Sequence, residues 1–321
     1  MRSTASDLRA APERTSQEIG AAVRAWLLPS RTLERRPWAA LAGLLYIAAV
    51  STLGGLRGDH VLVGLLGLLD LYNERTRLFL RTFFPFILTG VIFDSMRYYY
   101  WQGVAGRVHV AEPYLLERRW FGIGGLTPNE LFQRHHGVLL DLACGLTYLV
   151  FVAEYLGLAF VAFFRGNLAR AATFARSFLV VNVLGFATYF VYPAAPPWYV
   201  TEYGLGPARA DVLPEAAAAQ RFDALLGTHL FDQVYGRGVD VFGAYPSLHV
   251  SYPLIAAILA FRVAELRWAR WPATGFFLLM CLSAVYLQHH YVTDAVLGIA
   301  YALVALAVTS AWDRRRPARA A

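Results

Sequence analysis

Residues 137–164 read GVLLDLACGLTYLVFVAEYLGLAFVAFF, and Arg165 closes the run. A helix that crosses a bilayer needs about 20 predominantly apolar residues. This stretch exceeds that length, with acidic side chains only at Asp141 and Glu154. Outward from it lie further apolar runs at 38–56, 79–98, 173–192, 248–263, 272–288 and 292–312. One more, 61–71, is short and reads either as a crossing at a thinned place or as a re-entrant piece. Of the 321 residues, 57% are hydrophobic and 16% charged, where a soluble domain carries roughly a quarter charged residues. Disorder, collagen and a disulfide-stapled mini-protein are excluded. The predicted fold class is all-α: a polytopic membrane bundle of about eight spans with a six-helix core.

The net charge is +7 and every basic residue is arginine. These arginines fall between apolar runs instead of forming one basic face, so no nucleic-acid partner is expected. Trp38, the group Tyr98-Tyr99-Tyr100-Trp101, Trp198, Trp268, Trp271 and Trp312 cluster at span ends, as interfacial aromatics do. Basic residues in short loops mark the cytoplasmic side. Arg165, Arg170 and Arg176 lie in one such segment, Arg262, Arg267 and Arg270 in another, and Arg314, Arg315, Arg316 and Arg319 follow the last run. Alternation puts all three on one face, and counting 61–71 as a span brings both termini to it.

The predicted organisation is a cytoplasmic tail over 1–36, a membrane domain over 37–313 and a basic cytoplasmic tail over 314–321. The first tail lacks the apolar core of a secretory signal and carries an amphipathic stretch over 19–28. All-Arg, Ala-rich usage suggests a bacterial genome, hence a bacterial plasma membrane. The non-cytoplasmic face collects the connection 98–136, a long loop over 193–246 and the junction 288–292. The long loop opens with Pro193, Pro196, Pro197, Gly204, Gly206 and Pro207 and carries a predicted surface helix over 214–235. Cys144 and Cys281 lie in apolar stretches with no CxxC or Cys/His spacing, so neither metal nor cofactor is expected.

Two segments at that face carry the chemistry: Gly243-Ala244-Tyr245-Pro246-Ser247-Leu248-His249 and His289-His290-Tyr291-Val292-Thr293-Asp294. Ionisable groups at membrane depth are costly and face a cavity or a partner. The span after His249 runs inward and the next runs back, so His249 and His290 arrive at the same face. His290 and Asp294 stand i, i+4, on one side of a helix. A carboxylate on one ring nitrogen fixes the tautomer and leaves the other as a nucleophile. His249 then acts as general acid toward a leaving alkoxide, and phosphorus is the natural electrophile. His289 points about 100° away from His290 on a helix and reads as a supporting or interfacial residue.

Pro246-Ser247-Leu248-His249 and His290-x3-Asp294 resemble the two catalytic blocks of the type-2 phosphatidic acid phosphatase superfamily. Those phosphatases show Pro-Ser-Gly-His and then Ser-Arg-x5-His-x3-Asp. Here Leu248 replaces the glycine, Ser283-Ala284 lacks the phosphate-binding arginine, and Arg36-Pro37 lacks the basic residue of a Lys-x6-Arg-Pro block. Ala195-Pro196-Pro197-Trp198-Tyr199, the block ending at His249, and Tyr286-Leu287-x-His289-His290-Tyr291 are similar instead to the inositol phosphorylceramide synthase branch. The resemblance implies a nucleophile at His290, its orienting carboxylate at Asp294, and an acid, then base, at His249. It also implies a phospholipid donor, a lipid-alcohol acceptor and a water-excluding lid beginning at Ala195.

For the phosphodiester charge, Arg134 is the first candidate, against a snorkelling interfacial arginine. Arg97 and Asp94 form either a structural pair or a headgroup contact, and Tyr245 and Ser247 are candidate donors to phosphate. His135 and His136 carry no assignment. Two competing functions remain. One is a lipid phosphate phosphatase acting on phosphatidate or a polyprenyl diphosphate; the other is a proton-coupled transporter, against which stand the absence of paired repeats and the place of these groups at span ends.

Overall fold

A computed structural model of the chain describes residues 38–69, 71–236 and 238–315. The expected tail over 1–36, its amphipathic stretch and residues 316–321 lie outside them. Arg314 and Arg315, expected in the C-terminal tail, belong to the last turn of the final helix. In order the helices are α1 (Trp38–Leu53), α2 (Gly58–Leu69), α3 (Glu74–Ser95), α4 (Tyr100–Val104), α5 (Ala111–Phe121), α6 (Pro128–Arg134) and α7 (Val138–Phe164). There follow α8 (Leu168–Val191), α9 (Pro197–Tyr203), α10 (Gln220–Leu226), α11 (Leu230–Tyr235), α12 (Leu248–Arg262), α13 (Arg270–Tyr286) and α14 (Val292–Arg315).

Among the described residues, four helices are long and apolar enough to cross a membrane by length and composition: α3 with its extension to Tyr98, α7, α8 and α14. α1, α2 and α12 are shorter apolar helices. α2 has 12 residues, about 18 Å of helix against a hydrocarbon core of about 30 Å. It folds back on α1 as a hairpin. α12 is central, packing on α7, α8, α13 and α14, while α3 leans on α8. Buried apolar side chains of α3, α7, α8, α12 and α14 form one continuous core.

Close approach of α12 and α14 positions the site. A Cβ on Gly298 would stand 2.3 Å from the Ser247 carbonyl oxygen, so only glycine lets the two backbones meet there. The Ser251 hydroxyl bridges them, 2.8 Å from Gly298 O and 3.0 Å from Ser247 O. The expected surface helix over 214–235 is instead a 3-10 turn (Ala217–Ala219) followed by α10 and α11. Gly227 in the left-handed region ends α10. Asp223 then accepts from the backbone N–H groups of Leu230 (3.1 Å) and Phe231 (2.8 Å), starting a new helix in another direction.

The α1–α2 hairpin is tied to the end of α3 through Asp94. Its Oδ1 accepts from Arg57 (2.6 Å) and Arg97 (2.7 Å), and its Oδ2 lies 2.7 Å from His60 Nε2. Asp59, His60 and Asp94 are spaced as metal ligands are, but Arg57 pairs with both carboxylates. Removing one partner of such a set leaves the others unsatisfied, at about 1–3 kcal/mol. Asp94→Ala is expected to loosen the hairpin, measured as faster proteolysis in the turn between α2 and α3.

Candidate active site

Short backbone ladders join the loops at the site end. His109 N–H donates to Pro193 O (2.8 Å), Ala195 N–H to His109 O (2.9 Å) and Ala194 N–H to Phe242 O (2.8 Å). Three loop segments therefore lie side by side, and the last runs directly into α12. Ser247 is the N-cap of that helix, its hydroxyl accepting from Val250 N–H, as serine favours at this position.

The turn 287–291 between α13 and α14 is clamped by residues of two short helices, α6 and α9. Asn129 Nδ2 donates to the carbonyls of Val285 (2.9 Å) and His290 (3.0 Å). Gln288 Nε2 donates to Asn129 O (2.8 Å), and Trp198 N–H to Gln288 O (3.1 Å). Gln288 has φ +68°, a left-handed conformation that costs a non-glycine residue about 1 kcal/mol or more. The clamp holds it, and the two neighbouring histidines diverge.

His290 Nδ1 donates to the Ala244 carbonyl at 2.8 Å. A carbonyl only accepts, so Nδ1 carries the proton and Nε2 keeps its lone pair. Nε2 faces His249 Nδ1 at 3.0 Å, which in turn donates to it. Asp294 Oδ2 is 3.5 Å from His290 Nδ1 and accepts instead from Tyr291 N–H at 2.8 Å. The nearest orienting group is thus a backbone carbonyl, and Asp294 is a charge partner that also fixes the turn. The expected i, i+4 pairing of His290 with Asp294 is present as this 3.5 Å contact, with the Ala244 carbonyl as the shorter partner of the same nitrogen. His249 is held from behind by Tyr148, stacked at 4.3 Å between ring centres, and by Phe151 at 4.7 Å.

A cavity of about 760 Å³ opens beside the pair. Phe86, Phe93, Phe151, Val152, Phe178 and Phe186 make one apolar wall, drawn from α3, α7 and α8. At the far end α3 and α7 meet through Phe83, 4.9 Å from Phe160 and 5.3 Å from Phe163 between ring centres. Toward the site α3 follows α8 instead, with Phe93 on Phe186 at 5.8 Å, and the space between α3 and α7 becomes cavity. The site therefore offers an imidazole with a free ring lone pair, a second imidazole in contact with it, and a largely apolar cavity.

The PAP2 superfamily profile matches residues 115–308, a span that contains all three of His249, His290 and Asp294. The chain belongs to the PAP2 superfamily. It is 34% identical over 268 residues to a phosphoinositol dihydroceramide synthase of Bacteroides thetaiotaomicron, covering 81% of this chain and 86% of that protein. It is 32% identical over 182 residues to the catalytic subunit of inositol phosphorylceramide synthase of Schizosaccharomyces pombe, covering 56% of this chain and 42% of the relative. Similarity to the inositol phosphorylceramide synthase of Candida albicans is 28% over 178 residues, or 53% and 36% of the two chains. No solved structure matches. Within the superfamily this is a membrane enzyme of the inositol phosphorylceramide synthase-like branch.

The remaining candidates separate. Arg97 and Asp94 line the cavity, joined by Arg57, which sequence reasoning missed. Arg134 does not line it: α6 turns Asn129 inward, and five residues on, at about 100° each, Arg134 lies on the exposed side. Tyr245 is also outside the cavity, its ring packed on Tyr192 at 5.6 Å. Ser247 is fully buried and spends its hydroxyl on the helix cap. The segment expected to be a lid is a packed wall, with Ala195 and Tyr199 buried and Pro196 and Trp198 facing the cavity.

Glu117 was also not read from the sequence, where Leu116-Glu117-Arg118-Arg119 looks like a solvated charge run. It is fully buried, and its two oxygens accept from Val292 N–H (2.9 Å) and Thr293 N–H (3.0 Å), capping α14 from α5. Burial pushes its carboxyl up, and the two N–H donors pull it back. Unsatisfied buried donors cost about 1–3 kcal/mol each. Glu117→Ala is expected to lower the melting temperature by several degrees and Glu117→Gln by less, read by differential scanning fluorimetry.

Proposed function

We propose that this chain transfers inositol phosphate from phosphatidylinositol to a ceramide-like lipid alcohol, releasing diacylglycerol, through a phosphohistidine on His290. The observation that carries the reading is His290 Nε2 meeting His249 Nδ1 at 3.0 Å at the head of a largely apolar cavity. Substrate separates the two rings, since phosphorus bonded to Nε2 needs the place that Nδ1 of His249 takes. Nε2 attacks phosphorus, the bond from phosphorus to the diacylglycerol oxygen breaks, and that oxygen takes a proton from the His249 imidazolium. The phosphodiester's negative charge favours that imidazolium. The acceptor hydroxyl then gives its proton to His249 and its oxygen to phosphorus, and the P–N bond breaks.

Asp294 stabilises the His290 imidazolium that exists while phosphorus is bound. Arg57 and Arg97, pre-set by Asp94, supply positive charge to the phosphodiester. The aromatic walls exclude water and so favour transfer over hydrolysis. In this reading the bundle makes eight passes and the site opens to the non-cytoplasmic leaflet of a bacterial plasma membrane, as the arginine segments indicate.

Purified enzyme given inositol-labelled phosphatidylinositol and a panel of lipid alcohols is expected to yield a new labelled lipid on thin-layer chromatography. Release of water-soluble inositol phosphate without a new lipid would overturn transfer in favour of hydrolysis. Activity is expected to survive EDTA, and a strict divalent-metal requirement contradicts the mechanism.

A further inference from the structure

The cavity is lined by polar side chains besides Asp94, Arg57 and Arg97. His289 is 5% exposed, its ring lying between Tyr148 (5.1 Å) and Tyr235 (4.5 Å, nearly parallel) and lining the cavity. It hydrogen-bonds the Ala216 backbone, and burial with His290 nearby holds it down at about 3, so it stays neutral. Its Nε2 is buried and has no hydrogen-bond partner among the described residues. Such an atom is an acceptor waiting for a donor.

Asp240 and Glu215 line the same cavity. The Asp240 carboxylate lies across Gly243, where a Cβ would come 2.0 Å from its Oδ2. That places it beside the backbone that carries Ala244, the carbonyl holding His290. Burial pushes Asp240 up to about 7, and no cation acts on it to pull it back. Glu215 is also pushed up, by burial and then by Glu202 and Asp232. Among the described lining residues the arginines are Arg57 and Arg97, both already held by Asp94.

Three acceptors with no facing cation suit a ligand rich in hydroxyl donors and repel one that carries its own negative charge at that spot. We propose that Asp240, His289 and Glu215 form the headgroup subsite of the enzyme and accept hydrogen bonds from the hydroxyls of a polyol carried on the donor phosphate. The assignment rests on the transfer reading above and names the side chains that select its donor. His290 takes the phosphorus from one side while the ring of hydroxyls lies against Asp240 and His289. Gly243 is needed for this placement because any side chain there would displace the Asp240 carboxylate.

Binding without turnover tests it. The His290→Ala protein is titrated by calorimetry with glycerophosphoinositol and with glycerophosphoethanolamine. Adding Asp240→Asn or His289→Phe is expected to weaken the inositol ligand about tenfold, the loss for one hydrogen bond to a charged or buried acceptor. In the catalytically intact protein, Asp240→Asn is expected to raise KM for phosphatidylinositol by a similar factor and leave KM for the acceptor alcohol unchanged. Equal binding by parent and variants, tighter binding of the ethanolamine ligand, or a shift confined to the acceptor KM overturns the subsite. Inositol binding that depends on Asp240, in a protein that transfers to no lipid alcohol, keeps the subsite and overturns the transfer reading alone.

Discussion

His290→Ala is expected to lose transfer on the order of 10⁴-fold or more, on the scale of removing the nucleophile from a unit that acts together. The loss is of chemistry and not of fold, since the ring contributes one bond to Ala244 and one to His249 while Asn129 and Gln288 hold the turn through backbone groups. The protein should therefore extract and melt much like its parent. His249→Ala should also be strongly impaired, but for a different reason: it lacks the proton for the leaving alkoxide. A donor with a phenolic leaving group needs no such proton. It is expected to restore the first step, read as phenol release, to the His249→Ala protein and not to the His290→Ala protein. Rescue of both, or of neither, contradicts the assigned roles.

Gly298→Ala is the second large effect, at a residue that touches no substrate. The new Cβ would lie 2.3 Å from Ser247 O and 3.2 Å from Ser247 C, backbone atoms with no rotamer to yield. Relief requires α12 and α14 to part by about 1 Å, and displacements of that size cost about 10²-fold in rate when they misplace reacting groups. His249 stands at the start of one helix and Asp294 at the start of the other. The expected result is a roughly 100-fold fall in kcat with a lower melting temperature. Gly157→Ala, where an added Cβ meets nothing within 4 Å, is expected to be silent in both measurements. A Gly298→Ala enzyme with full activity would mean that the close crossing does not set the histidine geometry.

Much of this was legible in the sequence because burial in lipid leaves a strong signal. The runs behind α7, α8 and α14 are long and apolar enough to cross a bilayer, and His249 and His290 stand out as ionisable groups at the ends of such runs. Direction alternation alone brings them to one end. The supporting contacts carry no such signal. Glu117 and Asn129 lie in short, non-periodic segments, and their partners are more than a hundred positions away. Arg134 stands out in the sequence by its charge and place in the chain, while its helix is set by a Thr127–Glu130 capping box and the inward Asn129. Asp294 was expected to orient His290 by spacing. The structure adds a closer partner for the same nitrogen, the Ala244 carbonyl, and no residue type announces a carbonyl. His289 could be placed only once the turn at Gln288 was seen to separate it from its neighbour.

The central claim is covalent attachment of the headgroup phosphate to His290, and trapping it is the most direct measurement. Enzyme mixed with inositol-labelled phosphatidylinositol, without acceptor, is quenched under alkaline conditions and its peptides are read by mass spectrometry. The expected result is an acid-labile inositol-phosphoryl adduct on the peptide containing His290, discharged by adding a lipid alcohol and missing from the His290→Ala protein. An adduct on another residue, or active enzyme that transfers headgroup with His290 unmodified throughout turnover, would contradict the account.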